Sequence, residues 1–75
     1  MEIILTNHTK LRMVQRGITL AMIMECIESP EYVCPQHNWT TLLRKRIKGI
    51  EGADFIVVIY KKEGNKITVI TSYII

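Results

Sequence analysis

The sequence lacks both the long apolar run of a membrane-spanning helix and the N-terminal pattern of a secreted protein. A membrane helix needs about 20 consecutive apolar residues, and a signal peptide places a basic segment before an apolar one. Cysteine is also scarce, with only Cys26 and Cys34, and a small cytosolic protein usually keeps such residues reduced. We therefore expect a cytoplasmic protein with no membrane partner and no structural disulfide.

Metal-ligand patterns are equally scarce. Cys34 and His37 have the spacing of a ligand pair, but a structural zinc site needs about four ligands. The chain contains no second pair of this kind, and Pro35 lies inside the first. We therefore predict no metal and no other cofactor.

The residues that are present are sufficient for one small folded domain, residues 1–75. Hydrophobic residues make up 48% of the chain and charged residues 23%, which is the composition of a globular protein rather than a disordered one. A domain of this size buries only roughly 60% of the surface that its unfolded chain exposes. A homodimer or another partner would therefore add stability, and the net charge of +3 is compatible with nucleic acid.

Two helices are predicted in the N-terminal half, after a short β-branched strand over residues 2–6. Thr6 or Asn7 can cap the first helix, and Gly17 is the residue type that ends one. Leu11 and Val14 are predicted to form its buried stripe. Thr19 can cap a second helix from Leu20 to Glu28, and Ser29-Pro30 ends it. The core face of this helix follows helical spacing and consists of Leu20, Ile23, Met24 and Ile27.

Beyond Pro30 the apolar period changes to that of strands. We predict extended segments over residues 32–39, 40–48, 54–61 and 66–75, with Pro35 indicating an edge strand for the first. Turn-like residues, 49–52 and 63–65, separate the later segments, so successive strands are expected to pair antiparallel. Residues 55–60 are apolar at every position, which is typical of a central strand.

Side-chain alternation predicts which residues share a face of each strand. In the second extended segment one face is strongly cationic, with Leu42, Arg44, Arg46 and Lys48, and the other carries Thr41, Leu43, Lys45 and Ile47. In the last segment the same rule places Ile67, Val69, Thr71 and Tyr73 on one side, and Ile70, Ser72 and Ile74 on the other.

A second cationic surface is predicted on the first helix. His8, Arg12 and Arg16 recur at four-residue spacing, so their side chains project from one side of about two turns. Neither helix formation nor core packing requires these three residues on a shared exposed face.

The pattern His8-x-x-x-Arg12-Met13-x-x-Arg16-Gly17-Ile18-Thr19, the apolar helix ending in Ser29-Pro30 and the closing strand Val69-Ile70-Thr71-Ser72-Tyr73 resemble a family of small uncharacterised bacterial and archaeal domains. More distantly, the chain is similar to BrnT-type toxins of the RelE-like group. This resemblance implies an α+β domain in which an N-terminal strand and two helices pack on one face of an antiparallel sheet of about four strands. Tyr73 departs from the toxin pattern, where an arginine is common.

The resemblance also implies a function. RelE-like toxins are metal-independent endoribonucleases that act within toxin–antitoxin pairs, so the expected partners are RNA, in some cases on the ribosome, and an antitoxin protein. Attack by the ribose 2′-hydroxyl requires a base, an acid and positive charge beside the phosphorane. We assign catalysis to His8, Arg12, Arg16 and Tyr73, with His8 as acid or base, and RNA binding to Arg44, Lys45, Arg46 and Lys48.

Each of these residues also has a structural interpretation. His8 can be a surface or capping residue, the helix arginines can pair with Glu2, Glu25 or Glu28, and basic residues on a strand discourage edge-to-edge aggregation. Tyr73 can be a half-buried packing residue, and Trp39 can either stack on a base or anchor the sheet or an interface. The alternative function is therefore a non-catalytic domain that binds nucleic acid or protein.

Overall fold

Two helices and five strands make up the computed structural model, which describes all of residues 1–75. In chain order the elements are β1 (Glu2–Leu5), α1 (Asn7–Arg16), α2 (Leu20–Glu28), β2 (Tyr32–Pro35), β3 (Thr40–Arg46), β4 (Phe55–Glu63) and β5 (Lys66–Ile74). Both helices begin and end at the positions that the capping residues indicate. The ends of the strands differ from the predicted bounds by a few residues.

The strands form one sheet in the order β1-β5-β4-β3-β2. Successive strands from β2 to β5 pair antiparallel, whereas β1 pairs parallel with β5, for example Ile3 with Ile67. The predicted fold class, an antiparallel sheet of about four strands with the N-terminal strand outside it, is therefore wrong. The sheet is mixed and five-stranded, because the two helices and the β2–β4 meander form the long connection that a parallel pair requires.

Helix α1 begins at Thr6, whose side chain accepts a hydrogen bond from the Thr9 N–H, and ends at Gly17, which has φ 69°. Thr9 and Met13 face the core, whereas Leu11 is 56% exposed and Val14 83% exposed. The predicted stripe of Leu11 and Val14 is therefore wrong. The helix is rotated so that the buried Thr9 hydroxyl reaches the carbonyl oxygens of β5, a polar contact that a count of apolar residues does not detect.

Both helices pack on the same face of the sheet. Ile18, between the two helices, and Ile23, within α2, are both buried. Helix α1 lies over β5, and α2 lies over β4 and β3. The resulting core contains Met13, Ile18, Ile23, Cys26, Leu43, Ile56, Val58 and Val69.

A β-bulge interrupts β5 and changes which residues face the core. Ile59 pairs with Thr71 and Tyr60 with Val69, so Ile70 is the extra residue. An extra residue reverses the alternation of every side chain beyond it. Ile67 and Val69 face the helices, as do Ser72 and Ile74, whereas Thr71 and Tyr73 face the other way. The predicted grouping of Ile67, Val69, Thr71 and Tyr73 on one face is therefore wrong.

The face of the sheet opposite the helices, which we call the open face, is covered by no other element of the chain. β4 is the central strand, as predicted, and Val57 on this face is still only 2% exposed because the side chains around it bury it. The open face of the last four strands carries Tyr32, Cys34, Thr40, Leu42, Arg44, Arg46, Phe55, Val57, Ile59, Lys61, Glu63, Lys66, Thr68, Thr71 and Tyr73.

Candidate nucleic-acid interface

A row of four side chains crosses the open face from one strand to the next. Tyr32 pairs with Arg44, Arg44 with Val57, and Val57 with Tyr73. Directly opposed residues on one face of a sheet have Cβ atoms about 5 Å apart. The row therefore places one guanidinium and two phenol rings on the same surface, with an apolar residue between them.

The Arg44 guanidinium lies against two aromatic rings. Its carbon is 4.9 Å from the centre of the Tyr32 ring and 5.0 Å from that of Phe55, and the Arg46 guanidinium is 5.5 Å from the same Phe55 ring. Cation–π contacts of this length hold a guanidinium in place without neutralising its charge. Both arginines are thus oriented in advance of any ligand.

Neither of these guanidinium groups is paired with a carboxylate. The two ion pairs of the chain join Lys45 to Glu25 and Lys61 to Glu63, each at 3.8 Å. The Glu31 carboxylate accepts a hydrogen bond from the backbone N–H of Arg46. The donor groups of Arg44 and Arg46 therefore remain available for an anion, which guanidinium binds through two parallel hydrogen bonds.

The predicted RNA-binding set is divided by the sheet. Arg44 and Arg46 share the open face, and the alternation predicted for this strand is confirmed. Lys45 points to the helix side, where its ammonium group donates to the Ser29 carbonyl oxygen at 2.9 Å and lies near Glu25. Lys48 follows β3 and is exposed. Lys45 thus has a structural contact of its own and does not extend the arginine surface.

The predicted catalytic set also divides. Arg16 donates from Nη1 to the Ser72 carbonyl oxygen at 2.7 Å, Arg12 donates to the Gln15 side chain at 3.3 Å, and His8 is exposed. None of the three forms an ion pair with a glutamate. Tyr73 follows Ser72 in the chain, but its ring is on the open face, so the sheet separates it from the α1 side chains. The structure therefore does not bring the four residues to one point.

The Arg16 contact stabilises the end of β5 where β1 no longer covers it. Phe55 and Ile75 exchange both backbone hydrogen bonds, so by the alternation of an antiparallel ladder the backbone groups of Ser72 point away from β4. β1 ends opposite Val69. Arg16 thus supplies a donor to a strand edge that has no neighbouring strand there, which is a structural role.

The remaining nucleophiles and potential ligands lie outside the open-face row. Burial raises the pKa of the Cys26 thiol to about 11, against a smaller opposing effect of Lys45, so this thiol is unreactive at neutral pH. Cys34 is free and partly exposed. No three His, Cys, Asp or Glu side chains come together in an arrangement that would hold a metal ion.

Tyr32 and Phe55 were not among the predicted site residues. Each is adjacent to a turn and looks like a packing residue in the sequence. The feature of the sequence that could have identified them is the cationic face of β3, because any residue paired with Arg44 or Arg46 must share that face. Using it required the strand register, which the sequence does not contain.

The comparison with known families gives one match. A family model described as "Domain of unknown function (DUF4258)" matches residues 5–74. The chain belongs to the DUF4258 family. No curated protein and no solved structure matches this DUF4258 domain significantly. Neither helix of the domain has the length and apolar character needed to cross a membrane.

Proposed function

We propose that this DUF4258 domain binds single-stranded RNA on its open face. Arg44 carries the proposal, because its guanidinium is held between two aromatic rings and has no carboxylate partner. Recognition of unpaired RNA combines charge-assisted contacts to phosphates with stacking of bases on aromatic or guanidinium planes. Arg44 and Arg46 would hold phosphates, and the rings of Tyr32, Phe55 and Tyr73 would contact bases.

The charge of the open face favours a polyanion over an acidic or mixed protein surface. Between the row of Arg46 and Phe55 and the row of Thr40 and Lys61, none of the cross-strand pairs contains an acidic residue. The carboxylates at the two borders of this area have partners, since Glu31 accepts from the backbone of Arg46 and Glu63 lies near Lys61. The chain as a whole has ten basic and seven acidic residues. A ligand with regularly spaced negative charges matches this surface best.

The decisive measurement is the affinity of a fluorescently labelled single-stranded RNA of roughly 12 nucleotides for matched charge variants. Arg44→Ala should weaken binding about tenfold or more, since hydrogen bonds to charged groups contribute about 1.5–3 kcal/mol. Lys10→Ala removes the same charge from exposed helix surface and should change the affinity by less than about twofold, because distant charges are screened.

Lys45→Met serves as the neighbouring control, since residue 45 adjoins Arg44 in the chain but faces the helices. It should keep RNA affinity close to wild type, provided that the folded fraction is confirmed by circular dichroism. Equal losses for Arg44→Ala and Lys10→Ala would show that binding is a general charge effect, and the proposal for the open face would be wrong.

A second candidate function is RNA cleavage by a RelE-like or BrnT-like toxin. The specific observation is that Tyr73 and Arg44 belong to one cross-strand row, on either side of Val57, so a phenol and a guanidinium share the surface on which RNA would bind. The 2′-oxygen would bond to phosphorus as the bond to the 5′-oxygen breaks, which leaves a 2′,3′-cyclic phosphate. A solvent water would take the 2′-hydroxyl proton, the phenol would donate its proton to the leaving 5′-oxygen, and the guanidinium would stabilise the phosphorane. An antitoxin that covered the open face would block both, and the pair would act in the cytoplasm.

Cleavage is tested separately from binding. RNA ends should be compared after expression of wild type and Tyr73→Phe, which removes only the hydroxyl group. Defined ends that disappear in Tyr73→Phe, while RNA affinity is unchanged, would support the toxin. The Arg12→Ala, Arg16→Ala double variant tests the alternative site on α1: loss of ends there, with Tyr73→Phe active, would move catalysis to the helix.

A further inference from the structure

The hairpin between β2 and β3 holds the only tryptophan of the chain in an unusual backbone conformation. Asn38 and Trp39 both have φ 62°, and they are the only residues other than glycine with positive φ. Two consecutive positive φ angles are what an Asn-Gly hairpin turn provides. Asparagine tolerates this region, whereas tryptophan is strained there, so Trp39 stands where glycine would be more stable.

The strain is not offset by packing. Trp39 is 87% exposed, the highest fraction among the large hydrophobic side chains, although an aromatic residue normally buries most of its surface. The side chain therefore anchors neither the sheet nor the core. A strained and exposed residue indicates a function when no local contact explains it.

The surroundings of Trp39 are polar. Trp39 lines an open depression at the hairpin tip, and the other residues that line it are Pro35, Gln36, Asn38, Thr40 and Thr41. A protein interface usually surrounds an exposed tryptophan with further apolar side chains. An aromatic ring can instead stack on a nucleobase while neighbouring amide and hydroxyl groups hydrogen-bond the edges of that base.

The position of the hairpin connects Trp39 to the open face. Thr40, the next residue, begins β3 and pairs with Lys61 on that face. Arg44 lies four residues beyond Thr40 in the same strand, a distance of about 13 Å at the rise of a β-strand. A single RNA strand held by Arg44 and Arg46 can therefore follow β3 as far as the hairpin tip.

From these observations we infer that Trp39 stacks on a base of the single-stranded RNA that occupies the open face. This inference rests on the proposed RNA-binding function and extends it along β3. The indole is 87% exposed without RNA, so it is accessible to a base before RNA binds.

Because Trp39 is the only tryptophan, its fluorescence reports on this contact directly. Adding unlabelled RNA of roughly 12 nucleotides should quench the tryptophan emission. The bound RNA should also make the indole less accessible to acrylamide, a quencher added in solution. An RNA of the same length with abasic sites keeps the phosphates and should quench much less. Emission that is insensitive to the first RNA, at concentrations where Arg44-dependent binding is saturated, would overturn the inference and leave the proposed function intact.

Substitutions at residue 39 separate stacking from turn stability. Trp39→Phe should retain RNA affinity within about threefold, whereas Trp39→Leu and Trp39→Gly should lose about 5- to 150-fold, the range for removing one stacked base. Trp39→Gly should at the same time raise the melting temperature by about 4 °C or more, because it relieves the positive φ. Affinity and stability thus change in opposite directions.

The remaining outcomes are also decisive. RNA affinity of Trp39→Leu equal to wild type would overturn the stacking role alone. A blue shift of the emission that depends on protein concentration, without RNA, would assign Trp39 to a contact between copies and overturn the inference. If wild type binds no single-stranded RNA, both the proposed function and this inference fail.

Discussion

Thr9→Val should destabilise the protein although valine is the more hydrophobic residue of the same shape. The Thr9 side chain is fully buried beneath α1. Its hydroxyl donates to the carbonyl oxygens of Val69 and Ile70 at 2.9 and 3.1 Å, and its oxygen is 2.8 Å from that of Thr6. Since Thr9 has one hydroxyl hydrogen and directs it to β5, Thr6 is the donor to Thr9. Valine at residue 9 removes every hydrogen bond that the Thr9 hydroxyl makes to Thr6, Val69 and Ile70.

The expected loss of stability in Thr9→Val follows from the polar groups that valine leaves without a hydrogen-bond partner. A hydrogen bond contributes about 1 kcal/mol, and buried polar groups left without a partner cost about 1–3 kcal/mol. No cavity forms, because the two side chains have nearly the same volume, and the extra apolar methyl offsets part of the loss. We expect the free energy of unfolding to fall by about 2 kcal/mol, which lowers the melting temperature of a 75-residue domain by roughly 8–16 °C.

Urea denaturation followed by far-ultraviolet circular dichroism measures this change, with Thr9→Ser as the matched variant. Serine keeps the hydroxyl and loses one buried methyl group, at a cost of about 0.8 kcal/mol. The hydrogen-bond argument therefore predicts the stability order threonine, serine, valine, whereas apolar packing alone predicts that valine is at least as stable as threonine. A Thr9→Val protein as stable as wild type would refute the stabilising role of the hydrogen bonds from Thr9 to the Val69 and Ile70 carbonyl oxygens.

Four further predictions concern stability and thiol chemistry. The Ser72 hydroxyl is buried without a hydrogen-bond partner, so Ser72→Ala should raise the free energy of unfolding by about 1 kcal/mol; a loss measured by urea denaturation would contradict this. Gly17→Ala forces a Cβ into the left-handed region and should cost about 1 kcal/mol in the same assay, whereas no cost would show that the helix ends differently. At pH 8 a thiol reagent should modify Cys34 rapidly and Cys26 only on unfolding. Burial raises the pKa of the Cys26 thiol from 9.0 to about 11. The contribution of this thiol to the free energy of unfolding is therefore complete below pH 9 and is lost as pH rises through 11. In Cys26→Ala the free energy of unfolding should fall less over this pH range than in wild type, and an equal fall would refute the role of Cys26.

Local features of the sequence determined the helices and their ends. Thr6, Gly17 and Thr19 act as caps at the positions that residue type predicted, because capping depends on a side chain and backbone groups within four residues of it. The alternation along β3 was also correct, so Arg44 and Lys45 were assigned to opposite faces. Such properties repeat with the period of one element and require no knowledge of the others.

Long-range pairing decided the rest, and with it the candidate site. The parallel pairing of β1 with β5 joins residues more than 60 positions apart, and nothing in a four-residue strand identifies its partner. The rotation of α1 brings the Thr9 hydroxyl to carbonyl oxygens of β5, and most buried hydroxyl groups in folded proteins are hydrogen-bonded in this way.

The bulge at Ile70 is the clearest example of a feature that the tertiary structure decided. Strict alternation placed Tyr73 with Val69, and one extra residue moved it to the opposite face, into the row of Arg44 and Tyr32. The residue types of the site could be read from the chain, since each has its own chemistry. Which of them share a surface depended on strand register, because a shift of one residue exchanges the two faces of a strand.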